Sequence, residues 1–104
     1  MFVVTNRVPV NTDWQEQFEE RFKLRAGQVD KQPGFIRMDI MRPLDEHSPY
    51  LVMTAWKNEQ VFKDWVASED FKLAHQNPLP KDAIGSGGGM EMHEVIISAS
   101  GKMI

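Results

Sequence analysis

Three side chains in this sequence have types suited to binding chemistry: Asn6, Trp65 and His75. An imidazole can ligate a metal, an indole offers a broad apolar face, and an amide can donate a hydrogen bond. Around one space they would suit a flat apolar ligand with a metal centre. Each also has a structural explanation: His75 fits a helix C-terminus, Trp65 an apolar core, and Asn6 a satisfied buried amide.

Trp65 and His75 belong to one stretch at 61–75, V-F-K-D-W-V-A-S-E-D-F-K-L-A-H, which predicts a bent helical segment. On one straight helix the two side chains would lie ~15 Å apart along the axis. Ser68 followed by two acids predicts a new helix start, since a capping hydroxyl and acidic residues favour the positive end of the helix dipole. The break would let Trp65 and His75 face one cavity.

The remaining elements follow from hydrophobic periodicity and helix caps. The predicted strands are 2–10, 35–42, 50–57 and 90–99, with Asn6 on the core-facing side of the first. The predicted helices are 12–29, begun by a Thr12–Gln15 capping box, and the segment that starts after Asn58 and ends at Asn77 and Pro78. This order predicts an α+β, ferredoxin-like β-α-β-β-α-β fold with a four-stranded antiparallel sheet and both helices on one face.

The composition limits the classes of function. At 104 residues the chain predicts one domain over 1–104, and a net charge of −3 gives no nucleic-acid footprint. There is no cysteine, no apolar run long enough for a membrane span and no signal-peptide pattern, so we expect a cytoplasmic protein without membrane insertion. The sheet face without helices needs a cover, for which a second copy is the simplest candidate, so we expect a homodimer.

Other candidate sites have weaker patterns. His47 falls in a polar turn and His93 near the start of the last strand, and neither has the spacing of a metal site with His75. The stretch 78–89 predicts a flexible loop, and its glycines at 85–89 lack the Lys-Ser/Thr of a phosphate loop. We interpret this glycine run as a linker or a mobile flap.

Five segments carry a resemblance to a known family. They are T-N-R-V at 5–8, E-R-F at 20–22, P-G-F at 33–35, T-A-W-K at 54–57 and F-K-D-W-V-A-S-E-D-F-K-L-A-H at 62–75. In these segments the chain resembles the IsdG-type heme-degrading monooxygenases of the antibiotic-biosynthesis monooxygenase superfamily, which are dimeric ferredoxin-like proteins forming an α+β barrel. The glycine-rich stretch 85–89 departs from the staphylococcal members.

The resemblance implies roles for five residues. His75 would be the metal ligand, the proximal axial ligand of the heme iron through Nε2. Asn6 would lie on the distal side, where its amide can hydrogen-bond the oxygen being activated. Trp65 would press on the porphyrin and ruffle it, and Arg21 and Phe22 would line the pocket. Heme would be both substrate and oxygen-activating cofactor, with an external electron donor such as a reductase, and the products would be iron and an opened tetrapyrrole.

Four hypotheses follow from the sequence. The first is a heme-degrading monooxygenase, and the second is a heme-binding protein without turnover. The third is a cofactor-free monooxygenase acting on an aromatic polyketide-like substrate, because the superfamily shares one scaffold. The fourth is a dimeric structural domain without catalytic activity, in which His75 contributes only to local stability.

Overall fold

This computed structural model describes residues 1–76 and 78–101, apart from the side chains of 25–28. The described residues form four strands and three α-helices. In chain order they are β1 (Phe2–Val8), α1 (Gln15–Val29), β2 (Phe35–Met41), β3 (Tyr50–Trp56), α2 (Glu59–Val66), α3 (Glu69–Ala74) and β4 (Gly89–Glu94). The predicted order of elements is confirmed, while the extent of a single domain over 1–104 stays a prediction. Asn77, at the predicted end of the helical segment, lies outside the described residues.

The strands form one antiparallel sheet in the order β2-β3-β1-β4. β2 and β3 pair as an antiparallel hairpin, and β1 lies between β3 and β4, with Phe2 opposite Trp56 on one side and Glu94 on the other. This order is that of the split βαβ arrangement. The predicted ferredoxin-like fold is therefore confirmed.

One face of the sheet carries the core. Val4 and Trp56 are buried on it and belong to a cluster with Trp65 of α2 and Val29 at the end of α1. Because side chains alternate along a strand, the neighbouring Val3 and Met53 point to the opposite face, which these helices do not cover. A ligand that enters between sheet and helices therefore meets the side of β1 that carries Asn6.

The bent segment is confirmed as two short helices with separate caps. Asn58 Oδ1 accepts a hydrogen bond from the Val61 amide at 3.0 Å at the start of α2. Ser68 Oγ accepts one from the Phe71 amide at 3.2 Å at the start of α3 and donates to the Trp65 carbonyl at 2.6 Å. Ser68 thus ends one helix and begins the next, which turns α3 away from the axis of α2.

The start of α1 differs from the prediction. Residues Thr12–Trp14 form a 3₁₀ turn, and the α-helix begins at Gln15 without the hydrogen bonds of a capping box. The side chain of Asn11 points away from the helix and donates to the Asp82 carbonyl.

Within residues 1–76 and 78–101, none of the helices has the length and apolar character needed to cross a bilayer.

The first and last strands are shorter than predicted. β1 ends at Val8 because Pro9 has no amide hydrogen for the ladder, and Val10 keeps only an isolated bridge to Ile84. β4 ends at Glu94, not at residue 99, because Glu94 is opposite Phe2, the first residue of β1. Directly after it, the Val95 amide donates to the Met1 carbonyl at 2.9 Å.

The stretch between α3 and β4, residues 78–88, is more ordered than the predicted flexible loop; we refer to it as the strap. It contains a 3₁₀ turn at Lys81–Ala83, and Ala83 is fully buried. Its backbone bonds the chain that follows β1, from the Gly85 amide to the Pro9 carbonyl at 2.7 Å and from the Asn11 amide to the Ala83 carbonyl at 2.8 Å. The interpretation as a plain linker was therefore wrong.

The turn before β2 offers a test of the fold. Gly34 has φ +78°, and an added Cβ would lie 2.8 Å from the Cγ atoms of Val61. We expect Gly34→Ala to lower the free energy of unfolding by about 2–4 kcal/mol, because backbone strain and overpacking both apply. Gly87→Ala is the matched control, since Gly87 has φ +94° and nothing within 4 Å, so that only strain remains. Urea denaturation measures both; equal losses would contradict the role of the Val61 contact.

Candidate functional site

A cavity of about 290 Å³ lies between the core-bearing face of the sheet and the helices. β1 and β3 supply Asn6, Val8 and Val52, α1 supplies Phe18, Arg21 and Phe22, the strap supplies Pro78, Leu79 and Ile84, and His75 follows α3. The volume is at the lower end of the range of about 300–1,000 Å³ for small-molecule sites. Mostly apolar walls with a few polar groups are typical of such sites.

His75 lies at the C-terminal end of α3, where its side chain is exposed to the cavity. Its Nδ1 is 2.8 Å from the carbonyl oxygen of Phe71, and its ring stacks on the Phe71 ring with centroids 4.1 Å apart. A carbonyl only accepts, so Nδ1 carries the hydrogen in the neutral ring. The lone pair is then on Nε2, the atom that a metal would use.

Asn6 lines the same cavity as His75, but it is not the buried amide that the sequence suggested. The residue is exposed and lines the cavity from β1, between Val52 on β3 and Met90 on β4. An amide in this position avoids the cost of burial without a partner. The structure therefore brings Asn6 and His75 to one cavity.

Trp65 does not share that cavity, in contrast to the expectation that it and His75 face the same space. Its indole is buried in the core, stacked at 6.4 Å on Trp56 and edge-on at 5.4 Å to Phe71. The cap at Ser68 directs α3 so that Phe71 lies between Trp65 and His75. Trp65 thus contacts Phe71, which in turn contacts His75, and its indole is not part of the cavity lining.

Arg21 and Phe22, named from the E-R-F segment, both line the cavity from α1. Arg21 is the cationic residue of the two, and the planar donors of a guanidinium match a carboxylate. Phe22 also borders a second cavity of about 300 Å³, which α1 forms with residues of β2 and β3. The two residues therefore contribute one cationic and one aromatic group to the site.

The other two histidines lie elsewhere. His47 is exposed in the turn between β2 and β3, where its amide donates to Asp45 Oδ1 at 2.8 Å. His93 is on β4 opposite Val3, on the face of the sheet that the helices do not cover. Both are exposed and outside the cavity, so they serve as controls for His75.

Phe71 and the strap are the functional features that sequence reasoning missed. Phe71 was not among the predicted site residues, whereas it holds His75 with both its carbonyl and its ring. The i, i+4 spacing of an aromatic residue before a histidine is the signal that could have found this contact. For Leu79 and Ile84 the sequence carries no such signal, because their place depends on hydrogen bonds to a distant segment.

An ion cluster holds α1 over the sheet. Arg42 donates to Glu19 from two nitrogens, with Nε 2.8 Å from Oε2, and the buried Tyr50 donates its hydroxyl to the same carboxylate. The hydrogen bonds from Arg42 and Tyr50 lower the pKa of Glu19 to about 2. Burial and the Glu19 charge raise the pKa of Tyr50. These contacts, with the Phe18–Tyr50 ring pair at 4.8 Å, fix the helix that supplies Arg21.

The sequence also matches a known family. The profile of the family described as "Antibiotic biosynthesis monooxygenase" matches residues 1–77. The chain belongs to the antibiotic biosynthesis monooxygenase family. Its members share this sheet-and-helix scaffold, which is the fold predicted from the order of elements.

Curated relatives within the family confirm the resemblance to the IsdG-type heme-degrading monooxygenases. A staphylobilin-producing heme oxygenase of Staphylococcus haemolyticus is 35% identical over 79 residues, which cover 74% of this chain and 75% of that protein. A mycobilin-producing heme oxygenase of Mycobacterium tuberculosis is 27% identical over 99 residues, covering 95% and 92%.

Solved structures show the same scaffold. The heme-degrader MhuD from Mycobacterium tuberculosis, with two hemes bound in its active site, superposes with a TM-score of 0.78 at 25% identity and covers 96% of this chain and 100% of its own. SnoaB, a cofactor-independent oxygenase from Streptomyces nogalater, superposes with a TM-score of 0.75 at 20% identity, covering 93% and 94%. The second likeness shows the fold alone, so the site residues must separate the two chemistries.

The Glu19 cluster predicts a specific response to acid. Because the pKa of Glu19 is lowered on folding, its contribution to stability is fully present above about pH 4.5 and is lost as the pH falls towards about 2. We expect Glu19→Gln to remove this part of the pH dependence and to lower stability at neutral pH. Glu20→Gln, on the next and exposed carboxylate, is the control. Thermal denaturation between pH 2 and 7 measures the effect; parallel profiles for Glu19→Gln and the wild type would contradict it.

Proposed function

We propose that this protein is a heme-degrading monooxygenase, which binds heme through His75 and oxidatively opens the porphyrin ring to release iron. The observation that carries the proposal is the orientation of His75, whose Nδ1 is engaged by the Phe71 carbonyl at the wall of an apolar cavity. The predicted enzyme class, heme oxygenase, is that of the curated relatives.

The residues of the cavity fit a heme. The fixed Nδ1 leaves Nε2 of His75 for the iron. The apolar side chains of Val8, Val52 and Leu79 suit the faces and edge of a porphyrin and exclude water. The guanidinium of Arg21 suits a carboxylate, and heme carries two of them as propionates. The residues that line the cavity thus supply a positive charge, apolar surface and the Nε2 atom that would ligate the iron.

Two side chains besides His75 would guide the reaction. Heme, when bound, supplies the oxygen-activating centre as well as the ring that is cleaved. Asn6 would donate a hydrogen bond from its amide to the oxygen that is being activated, because it lines the same cavity as His75. We assign to Trp65 an effect through Phe71: its buried indole supports the ring that stacks on His75 and so sets the position of the ligand.

The remaining partners stay predictions. Oxidative ring opening by O₂ consumes electrons, so an external electron donor such as a reductase is required. We also expect a homodimer, since the face of the sheet with Val3 and Met53 has no cover from the described helices. Ile96 and Ile97 after β4 are 87% and 84% exposed, which favours burial against a second copy. A cytoplasmic location is part of the same proposal.

The alternatives are distinguishable at the cavity. A heme-binding protein without turnover would need the same His75. A cofactor-free monooxygenase would use the same fold, as the likeness to SnoaB illustrates, without needing an imidazole with a free Nε2. Hemin binding separates the third hypothesis from the first two, and product formation separates the first from the second.

Hemin titration tests the assignment of His75. We expect the purified protein to give a saturable Soret band, and His75→Ala to lose it or weaken the affinity by about 10-fold or more, because the iron loses its protein ligand. His47→Ala is the matched control, since His47 is exposed far from the cavity. With ascorbate in air the band of the wild type should decay in the presence of catalase. No saturable band would reject both heme hypotheses, and a stable band would leave binding without turnover.

The proposed hydrogen bond of Asn6 gives a separate test. We expect Asn6→Ala to keep the Soret band but to open the ring about 100-fold more slowly, since a donor aimed at a reacting oxygen is worth this order of magnitude. Gln60→Ala also removes an amide side chain, at an exposed position outside the cavity, and should react like the wild type. Single-turnover decay of the Soret band with ascorbate measures the rate. An unchanged rate in Asn6→Ala would show that its amide takes no part.

A further inference from the structure

The strap forms one wall of the cavity and is bonded to the segment between β1 and α1. Its residues Pro78, Leu79 and Ile84 line the cavity. Its chain is held near β1 by the bonds between Gly85 and Pro9 and between Asn11 and Ala83. A wall made by a connecting segment opens more easily than one made by a strand or helix. The contacts that hold the strap therefore affect the rate at which a bound ligand leaves the cavity.

Asn11 contacts the strap with its backbone amide and with its side chain, while its carbonyl accepts from the Trp14 amide at 2.9 Å. Its amide donates to the Ala83 carbonyl at 2.8 Å, and its side-chain Nδ2 donates to the Asp82 carbonyl. The side-chain Oδ1 lies beside Gly85, where an added Cβ would be 3.4 Å away. Asn11 itself belongs to the short connection between β1 and α1, the two elements that supply Asn6 and Arg21 to the cavity.

The glycines of the strap allow this close approach. At Gly88 an added Cβ would be 3.0 Å from the Arg7 carbonyl oxygen and 3.2 Å from Pro9 Cδ. The first of these atoms belongs to the backbone of β1 and cannot move without disturbing the sheet. A side chain at position 88 would therefore lift the strap from β1. The glycine run has a steric purpose at this position, separate from the hydrogen bonds of Asn11.

We propose that Asn11 is a positioning residue that holds the strap as a wall of the cavity and thereby slows the release of the bound ligand. The inference rests on the proposed function for the identity of that ligand, an apolar ring system such as heme. Asn11 is not among the residues that line the cavity, so it does not itself contact the ligand. It acts through the Asp82 and Ala83 carbonyls, which fix the turn between Leu79 and Ile84.

Two variants loosen the strap by independent means. Asn11→Ala removes the side-chain bond to Asp82 and keeps the backbone bond to Ala83. Gly88→Ala adds the Cβ that contacts Arg7 and Pro9. Their matched controls are Gln60→Ala, which also removes an amide side chain with one hydrogen bond, and Gly89→Ala, where an added Cβ meets nothing within 4 Å.

Amide hydrogen exchange of the protein without heme measures the strap directly. We expect the Gly85 amide, which donates to Pro9, to exchange roughly 2–10-fold faster in Asn11→Ala, the range that the loss of one hydrogen bond gives. Gly88→Ala should change it in the same direction, and both controls should exchange like the wild type at Gly85. Wild-type exchange at Gly85 in Asn11→Ala would overturn the proposal, whether or not Gly88→Ala exchanges faster.

Hemin dissociation into an excess of a heme-scavenging apo-globin measures the consequence. We expect it to be roughly 2–10-fold faster in Asn11→Ala than in the wild type or Gln60→Ala, with an unchanged Soret maximum because His75 is not altered. Faster exchange with unchanged dissociation would overturn the effect on release. If the wild type binds no hemin, the proposed function fails and the effect on release fails with it, while exchange at Gly85 still decides whether Asn11 holds the strap.

Discussion

A continuous series of ring contacts joins the centre of the sheet to the candidate metal ligand. Trp56 is fully buried and stacks on Trp65 at 6.4 Å, Trp65 packs edge-on against Phe71 at 5.4 Å, and Phe71 stacks on His75 at 4.1 Å. Each aromatic pair contributes about 0.5–1.5 kcal/mol beyond its buried area. His75 is exposed, yet its position depends on the packing of the core. The site and the core therefore cannot be altered independently.

The cavity that His75 faces is assembled from segments far apart in the sequence. Glu19 and Arg42 fix α1 over the sheet, and Asn11 joins the β1–α1 connection to the strap. This division suits a family in which one scaffold carries different oxygen chemistries, because the sheet can stay constant while the cavity walls change. The family establishes the scaffold, and the imidazole orientation at His75 is the feature that favours heme chemistry in this chain.

The order and type of the main elements could be predicted because they depend on local patterns. Alternation along β1 and β3, and the caps at Asn58 and Ser68, are properties of a few consecutive residues. The ends of elements could not be predicted equally well. β4 ends at Glu94 because its partner strand ends there, and Asn11 bonds Asp82 instead of capping α1. These outcomes depend on which distant groups are within reach of a hydrogen bond.

Local patterns in the chain were enough to predict the scaffold and the candidate residues, and the family resemblance named Asn6, Trp65 and His75 together. Which of these side chains share a space depends on how the segments pack. The tertiary structure placed Asn6 and His75 on one cavity and Trp65 in the core behind Phe71, and it made the strap a wall. The physical reason is that residue type and spacing determine what a side chain can do, whereas its neighbours are selected by packing between segments that are remote in the chain.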